Sequence, residues 1–206
     1  MSSPKLFALA APFVLLLGSC GGDEDGNGGR SDCASYGPAA ASPYRLPWHI
    51  GHTYRANPHK DWDPTVSRYA YDIQVPIGTE ILATRAGTVV RIEESFFDGD
   101  HTPGHENHVY VQHADGTVAR YAHLTNMGAL VQMGESVQQG QQVGLSGDTG
   151  NATGPHLHFD VTRSCCANAP DYNELPAGET LPLSFSNSDP DSSCGMVGGV
   201  RYNALP

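Results

Sequence analysis

The sequence predicts an all-β protein, a compact antiparallel sheet or sandwich with irregular arms on either side. From Asp72 onward the chain alternates β-branched and polar residues in short runs, and such runs are typical of strands. Glycines divide these runs at intervals that suit turns. The same region shows no convincing amphipathic helical pattern.

The predicted strands follow one another through the middle of the chain, at residues 80–83, 87–94, 108–113, 118–123 and 156–162. Turns are expected at the neighbouring glycines, which are Gly78, Gly87, Gly116, Gly140 and Gly147. Residues 131–147 contain two hydrophobic-glycine turns in close succession, which favour tight hairpins over a helix.

Two segments rich in Pro, Ser, Asn and Asp flank this unit and contain few periodic apolar positions. We therefore expect an irregular N-terminal arm at residues 33–66, a core at 67–164 and an irregular C-terminal extension at 165–206. The length beyond residue 33 suits a single domain with a real core. A monomer is expected.

The beginning of the chain predicts export. Lys5 precedes an apolar run at residues 6–17 that is too short for a comfortable membrane span, so residues 1–19 are interpreted as a signal peptide. Leu17, Gly18 and Ser19 before Cys20 resemble the bacterial lipobox, which makes Cys20 the expected lipidation site; an ordinary secretory signal is the alternative.

Residues 20–32 are predicted to form a flexible tether, because residues 21–32 carry no apolar side chain and cannot offset the entropy of ordering. By the same resemblance to lipoproteins, Gly21 rather than an aspartate after the cysteine favours the outer membrane. The expected location is therefore the cell envelope, at the outer membrane or a periplasmic face.

The charge of the chain limits the classes of molecule that it is expected to bind. Its 22 acidic and 11 basic residues give a net charge of −11. This balance argues against nucleic acid, anionic membrane surfaces or a polyanionic substrate. The expected contact with a membrane is through the lipid anchor only.

Four cysteines besides Cys20 predict two disulfides in an oxidising compartment; they are Cys33, Cys165, Cys166 and Cys194. A bond between the adjacent Cys165 and Cys166 would be strained. The favoured pairing therefore joins one of these two to Cys33 and the other to Cys194. A cysteine metal site is less favoured, because the residues lack paired spacing.

The strongest chemical signal is the pair His156 and His158 in the sequence GPHLHF. Side chains two residues apart on a strand share a face, so the two imidazoles converge while Leu157 and Phe159 enter the core. Imidazole is a common zinc ligand, and a catalytic zinc site has about three protein ligands and one open position. Two surface histidines on an exposed strand are the alternative.

Two further residues join this pattern. His123 ends a predicted strand in the sequence YAHL, and Asp72 lies between aromatic and apolar neighbours in RYAYDI. A carboxylate in such surroundings usually needs a cation or several hydrogen-bond donors. Taken singly, His123 is more often a satisfied polar residue and Asp72 a cap or turn residue.

These pieces resemble the lysostaphin and LytM family of zinc peptidoglycan endopeptidases. The resemblance spans about residues 69–161, nearly half of the chain, and includes PIGTEILATRAGTVV, NHVYVQHADGT, YAHL, VQMGESVQQGQQVGLSGDTG and TGPHLHF. It implies a twisted antiparallel sheet with a groove, related to the duplicated hybrid motif. It also implies that Asp72 and His158 hold zinc (Zn²⁺), while His123 and His156 act as catalytic residues beside it.

One position departs from the family. The family's first ligand is usually a histidine four residues before the aspartate, but here that residue is Arg68, which cannot bind zinc. Some members that resemble this sequence carry the histidine further upstream. His59 is the first choice for this ligand and His52 the second.

The remaining histidines of the core are assigned lesser roles. His101, His105 and His108 lie in or beside an acidic loop and are expected to be solvated, with rim contacts or a secondary metal as the alternative. His113 at a strand end either orients a catalytic neighbour or has no role in the site.

The resemblance implies a zinc-dependent endopeptidase that cuts peptide cross-links or stem peptides of peptidoglycan. The alternative is a non-catalytic module of the same fold that binds cell wall or activates another hydrolase, which Arg68 keeps open. A third hypothesis directs the same activity at an elastin-like or glycine-rich protein.

Overall fold

The computed structural model describes residues 33–59, 67–163 and 180–206, and the all-β prediction is confirmed. Within these residues two three-residue 3₁₀ turns occur, Cys33–Ser35 and Ala39–Ala41, and no α-helix. The twelve strands are β1 (Thr53–Pro58), β2 (Tyr71–Gln74), β3 (Glu80–Leu82), β4 (Gly87–Glu93), β5 (His108–Gln112), β6 (Val118–Ala122), β7 (Leu124–Ala129), β8 (Ser136–Val137), β9 (Gln142–Ser146), β10 (Leu157–Thr162), β11 (Ser188–Asp189) and β12 (Arg201–Ala204).

The strands form two antiparallel sheets. The larger sheet has nine strands in the order β11-β12-β1-β2-β10-β6-β5-β4-β8, and the smaller has the order β3-β9-β7. Along β6 and β10, alternate residues such as Tyr121, Phe159 and Val161 are fully buried in the hydrophobic core. The residues between them therefore point to the opposite face of the large sheet, where the polar side chains collect.

The five strands expected from the sequence are all present, and each differs from its predicted range by one residue at one end. The two turns expected within residues 131–147 also form, with backbone hydrogen bonds from Glu135 to Gln132 and from Gln141 to Gln138. The expected tight hairpins are wrong, however, because the strands on either side of each turn do not pair with each other. Instead β8 pairs with β4, whereas β9 pairs with β3 and β7.

The described parts of the two arms, residues 33–59 and 180–206, are irregular apart from two short 3₁₀ turns and three strands that extend the large sheet beyond β2. β1 pairs with β2 on one side and with β12 on the other, and β11 completes the edge. Tyr202 of β12 and Ala56 of β1 are buried in the same hydrophobic core as the central strands. The arms are thus integrated with the core rather than appended to it.

The predicted disulfide pairing is wrong, because Cys33 is bonded to Cys194. The two arms meet at this point: the backbone N–H of Ala39 donates to Ser193 Oγ at 2.9 Å. Gly195 lies so close to the ring of Tyr36 that an added Cβ would stand 2.4 Å from it. Contacts between the arms therefore bring these two cysteines together.

Several predictions concern residues that the structure does not describe. They are the signal peptide at 1–19, Cys20, the tether at 20–32, and Cys165 and Cys166. Within the described ranges, no helix has the length and apolar character needed to cross a membrane.

Candidate active site

The candidate site begins with the register between β10 and β2, which sets His158 directly opposite Asp72. Leu157 and Phe159 flank His158 and are fully buried in the core, as is Ile73 beside Asp72. Because side chains alternate along a strand, His158 and Asp72 both point to the polar face of the sheet.

His59 joins them from the N-terminal arm. It follows directly after β1, and its backbone N–H donates to the carbonyl of Ala70 at 3.0 Å. His59 Nε2 lies 2.9 Å and His158 Nδ1 3.1 Å from the same oxygen, Asp72 Oδ1. One ligand atom from each of the three residues lies within 4.8 Å of the other two. The structure thus brings the three predicted metal ligands together.

The other candidate for the upstream ligand, His52, lies elsewhere. It is at the opposite end of β1, exposed, with Nδ1 3.4 Å from the hydroxyl of Tyr54. Arg68, at the family's usual ligand position, has its guanidinium 5.4 Å from the ring centre of Tyr69. In the described part of the chain, His59 is therefore the histidine that completes the group with Asp72 and His158.

A buried ion pair orients His158. Its Nε2 lies 3.1 Å from Asp160 Oδ2, and Arg120 Nε donates to Asp160 Oδ1 at 2.6 Å. The three side chains are at most 2% exposed. With Nε2–H donating to Asp160, Nδ1 is the atom of His158 that faces Asp72 and would bind a metal. Asp160 and Arg120 could not be identified from the sequence as part of the site. Both belong to predicted strands, and each lies two residues from a buried neighbour.

His123 lies between β6 and β7 with a φ of 60°, in the left-handed region that side-chain-bearing residues rarely adopt. Such conformations cost free energy and are concentrated at functional sites. Nδ1–H of His123 donates to the carbonyl of Thr149 at 2.6 Å. Nε2 is therefore left as the lone-pair atom, and it has no hydrogen-bond partner among the residues described.

His156 occupies the space between His123 and Asp72. Its Nδ1–H donates to the carbonyl of Gly154 at 2.8 Å, and its Nε2 lies 3.6 Å from Asp72 Oδ1. The ring centres of His156 and His123 are 4.4 Å apart. All five predicted site residues therefore converge on one region of the polar face.

The electrostatics of the site favour a cation. Burial would raise the pKa of Asp72, but hydrogen bonds from His158 and His59 outweigh it and hold the pKa well below its ordinary value. Burial would lower the pKa of His158, but Asp160 and Asp72 raise it to about 9. The two carboxylates thus attract positive charge to the position of His158.

The donor set fits a divalent metal ion. Imidazole nitrogen and carboxylate oxygen are its usual ligands, and with bonds of about 2.1 Å the ligand atoms around a tetrahedral ion lie roughly 3.4 Å apart. The separations of 2.9 and 3.1 Å within this group are close to that value. His59, Asp72 and His158 would hold such an ion.

The pKa of His123 is shifted in the opposite direction to that of His158. Burial, with the neighbouring His156 and His158, lowers its pKa to about 3. His123 is therefore a neutral imidazole at neutral pH, with Nε2 as its lone-pair atom. The site combines a cation-binding group with a neutral imidazole.

A groove opens beside these residues. It encloses about 470 Å³ and is lined by Asn57, Asp72, Gln74, Val75, Pro76, Thr153, Gly154, Pro155 and His156. Apart from Asp72 and His156, its lining side chains are uncharged. The groove thus offers a largely uncharged surface beside the site.

The remaining histidines lie outside the site. His101 contacts Asp148 at 3.1 Å and His105 contacts Asp100 at 2.8 Å, both in the acidic loop. The expectation that His108 is solvated is wrong, because it is 6% exposed at the start of β5 and stacks on Tyr110.

His113 is a strand-end histidine without a role in the site. Its Nδ1–H donates to the carbonyl of Ala86 at 2.9 Å, and its ring packs against Tyr44. Neither neighbour is one of the five site residues, so the interpretation of His113 as an orienting residue is not supported.

Known proteins resemble this chain over its central part. It is 37% identical over 112 residues to the peptidoglycan DD-endopeptidase ShyA of Vibrio cholerae, covering 54% of this chain and 24% of ShyA. It is 36% identical over 110 residues to the peptidoglycan DD-endopeptidase ShyC of the same organism, covering 53% and 23% respectively. The chain thus spans about a quarter of the length of these curated relatives.

Among solved structures, the catalytic domain of the antimicrobial peptidase lysostaphin from Staphylococcus simulans is 28% identical. That match has a TM-score of 0.41 and covers 60% of this chain and 86% of the lysostaphin domain.

The sequence model of peptidase family M23 matches residues 67–170, just over half of the chain. The matched segment contains Asp72, His123, His156 and His158, whereas His59 precedes it. The chain belongs to peptidase family M23.

Proposed function

We propose that the chain is a zinc-dependent endopeptidase that hydrolyses peptide cross-links or stem peptides of bacterial peptidoglycan. The observation that carries this proposal is the convergence of His59, Asp72 and His158 with His123 and His156 beside an open groove. Two relatives named as peptidoglycan DD-endopeptidases support the substrate.

Each side chain has a defined part in this reaction. Zinc, when bound by His59, Asp72 and His158, supplies the Lewis acidity that activates water and polarises the scissile carbonyl. Nε2 of His123 accepts a proton from the attacking water and later returns it to the leaving amine. Nε2 of His156, close to Asp72, orients the water and stabilises the developing oxyanion.

The alternative of a non-catalytic wall-binding module rests on Arg68, which removes the usual first ligand. The position of His59 beside Asp72 weakens that alternative, because a histidine from the arm supplies a third donor. A module released from catalysis would also have no chemical need for His123, His156 and His158 in one cluster.

Digestion of purified sacculi tests the function directly. The released fragments should carry new peptide termini identifiable by mass spectrometry, and a His123→Ala protein should release none. A glycine-rich protein, incubated under the same conditions, serves as the parallel substrate. Intact sacculi together with a cleaved glycine-rich protein would redirect the activity to protein targets, and no cleavage of either would favour the non-catalytic module.

We further propose that the chain is an exported monomer with the organisation expected from the sequence. In this proposal residues 1–19 form a signal peptide, Cys20 carries a lipid and residues 20–32 form a tether. An arm at 33–66, a core at 67–164 and an extension at 165–206 follow. The disulfide between Cys33 and Cys194 supports an oxidising compartment. Mass spectrometry of the N-terminal peptide from a membrane fraction tests the anchor. An unmodified Cys20 would contradict it.

A further inference from the structure

Catalysis by His123 requires that its ring keep one direction and one tautomer. The backbone φ of 60° sets the side chain toward the site, and one hydrogen bond, to the Thr149 carbonyl at 2.6 Å, fixes Nδ1 as the protonated nitrogen. If that carbonyl turned away, the proton could occupy either nitrogen, and Nε2 would cease to be a reliable proton acceptor.

The Thr149 side chain holds its own peptide in place. Its Oγ1 accepts a hydrogen bond from the backbone N–H of Asn107 at 3.1 Å and donates one to the carbonyl of Leu124 at 2.9 Å. Leu124 is the residue directly after His123, and its N–H donates to the carbonyl of Asn107 at 3.0 Å. Thr149, Leu124 and Asn107 therefore form a closed group around the backbone of His123.

This group is shielded from water. Thr149 and Asn107 are fully buried and Leu124 is 1% exposed. The residues on either side of Thr149 are also held: the N–H of Gly99 donates to the carbonyl of Asp148 at 2.9 Å, and the N–H of Gly150 donates to the carbonyl of Asp100 at 2.7 Å. The Thr149 carbonyl consequently has a fixed direction toward His123.

We propose that Thr149 is a positioning residue for His123: its hydroxyl fixes the carbonyl that keeps the proton on Nδ1 and leaves Nε2 to accept the proton of the attacking water. This inference rests on the proposed peptidase function. Thr149 itself touches neither the groove residues nor the metal-binding group in the described hydrogen bonds, so it acts through His123.

Thr149→Val and Thr149→Ser form a matched pair that tests the proposal. Valine keeps the shape of threonine but removes the hydroxyl, whereas serine retains it. We expect kcat on a soluble wall peptide to fall by roughly 10- to 100-fold in Thr149→Val, with KM and zinc content unchanged. Thr149→Ser should stay within about threefold of the parent, since the hydroxyl is the group that matters.

Nitrogen-15 NMR of histidine-labelled protein reads the tautomer without reference to activity, with the His123 signals assigned by their loss in His123→Ala. The parent should show Nδ1–H at His123, Thr149→Ser should match it, and Thr149→Val should show a mixture. An Nε2–H tautomer in the parent would overturn the proposal even if Thr149→Val fails to fold. Equal kcat in the valine and serine variants would also overturn it. An inactive parent with the expected tautomers would instead reject the peptidase function.

Discussion

Four of the five candidate site residues lie on the segment matched by the M23 family, whereas the fifth, His59, follows β1 of the N-terminal arm. The two regions deliver their side chains differently. In the core, the register of adjacent strands sets His158 beside Asp72. In the arm, β1 pairs with both β2 and β12, and these contacts carry His59 to the edge of the site.

In the described part of the chain, the family segment therefore contains two of the three proposed metal ligands. The third depends on an element outside that segment, and so on the packing of the arms. We expect the core residues to determine whether metal binds and chemistry occurs, and His59 to determine how tightly the metal is held.

The largest effect is expected from His158→Ala in the core. The variant should lose zinc and activity together, because His158 is both a proposed ligand and the partner of the buried Asp160. Elemental analysis should give about one zinc per parent chain and none in the variant. His113→Ala, which removes a buried histidine outside the site, should keep its zinc. Full activity in His158→Ala would remove its assignment as a ligand.

The arm is tested by His59→Ala, which should weaken zinc binding by about 100-fold or more, since two ligands remain. Adding Arg68→His to that variant should restore much of the affinity, because position 68 is four residues before Asp72, where the family's ligand usually lies. Competition with a zinc chelator measures both changes. His52→Ala is the control, and an unaltered affinity in His59→Ala would place the third ligand elsewhere.

His123→Ala separates catalysis from metal binding. We expect zinc to be retained and kcat to fall by roughly 10²- to 10⁴-fold, the usual contribution of a general base. Zinc content and steady-state kinetics on one preparation provide the measurement. If the zinc were lost along with turnover, His123 would belong to the metal-binding group.

Acid should weaken the core through His108. Burial lowers the pKa of His108 to about 4, although a hydrogen bond to the backbone carbonyl of Glu106 acts in the opposite direction. Between pH 6.5 and 4 the unfolded chain therefore binds a proton that the folded chain does not, so stability is present above pH 6.5 and is lost as the pH falls toward 4. The loss is at most about 3 kcal/mol at 1.36 kcal/mol per pKa unit.

Urea unfolding of the parent and of His108→Gln at a series of pH values measures this contribution. The difference in free energy of unfolding between the two proteins should change over that pH interval and be constant above it. Parallel curves throughout would show that His108 does not titrate as expected.

The fold class could be predicted because the core strands carry their own signals. In β10 and β6 the alternation of buried and polar-facing residues is visible in the sequence, and it also places His156 and His158 on one face. β1 and β12 could not be predicted in this way. They contain Pro58, Arg201 and Asn203, and are held by pairing with neighbours rather than by their own pattern.

The site was partly predictable for a related reason. Asp72, His123, His156 and His158 lie in motifs, and His59 was the first upstream histidine. Asp160 and His158 lie two residues apart on β10, but the link from Arg120 to Asp160 depends on the register between β6 and β10, which no local pattern encodes. The pairing of Cys33 with Cys194 depends on how distant segments meet, 161 positions apart in sequence.

The pairing of β1 with β12 also imposes an order on assembly. β12 lies far after β1 in the chain, with Asn203 150 positions beyond its partner Thr53, so during synthesis β1 keeps one unprotected edge until β12 has emerged. The strand that leads to His59 therefore gains its second neighbour late. A nascent chain, or one truncated before β12, should hold His59 less firmly beside Asp72 and bind metal less tightly.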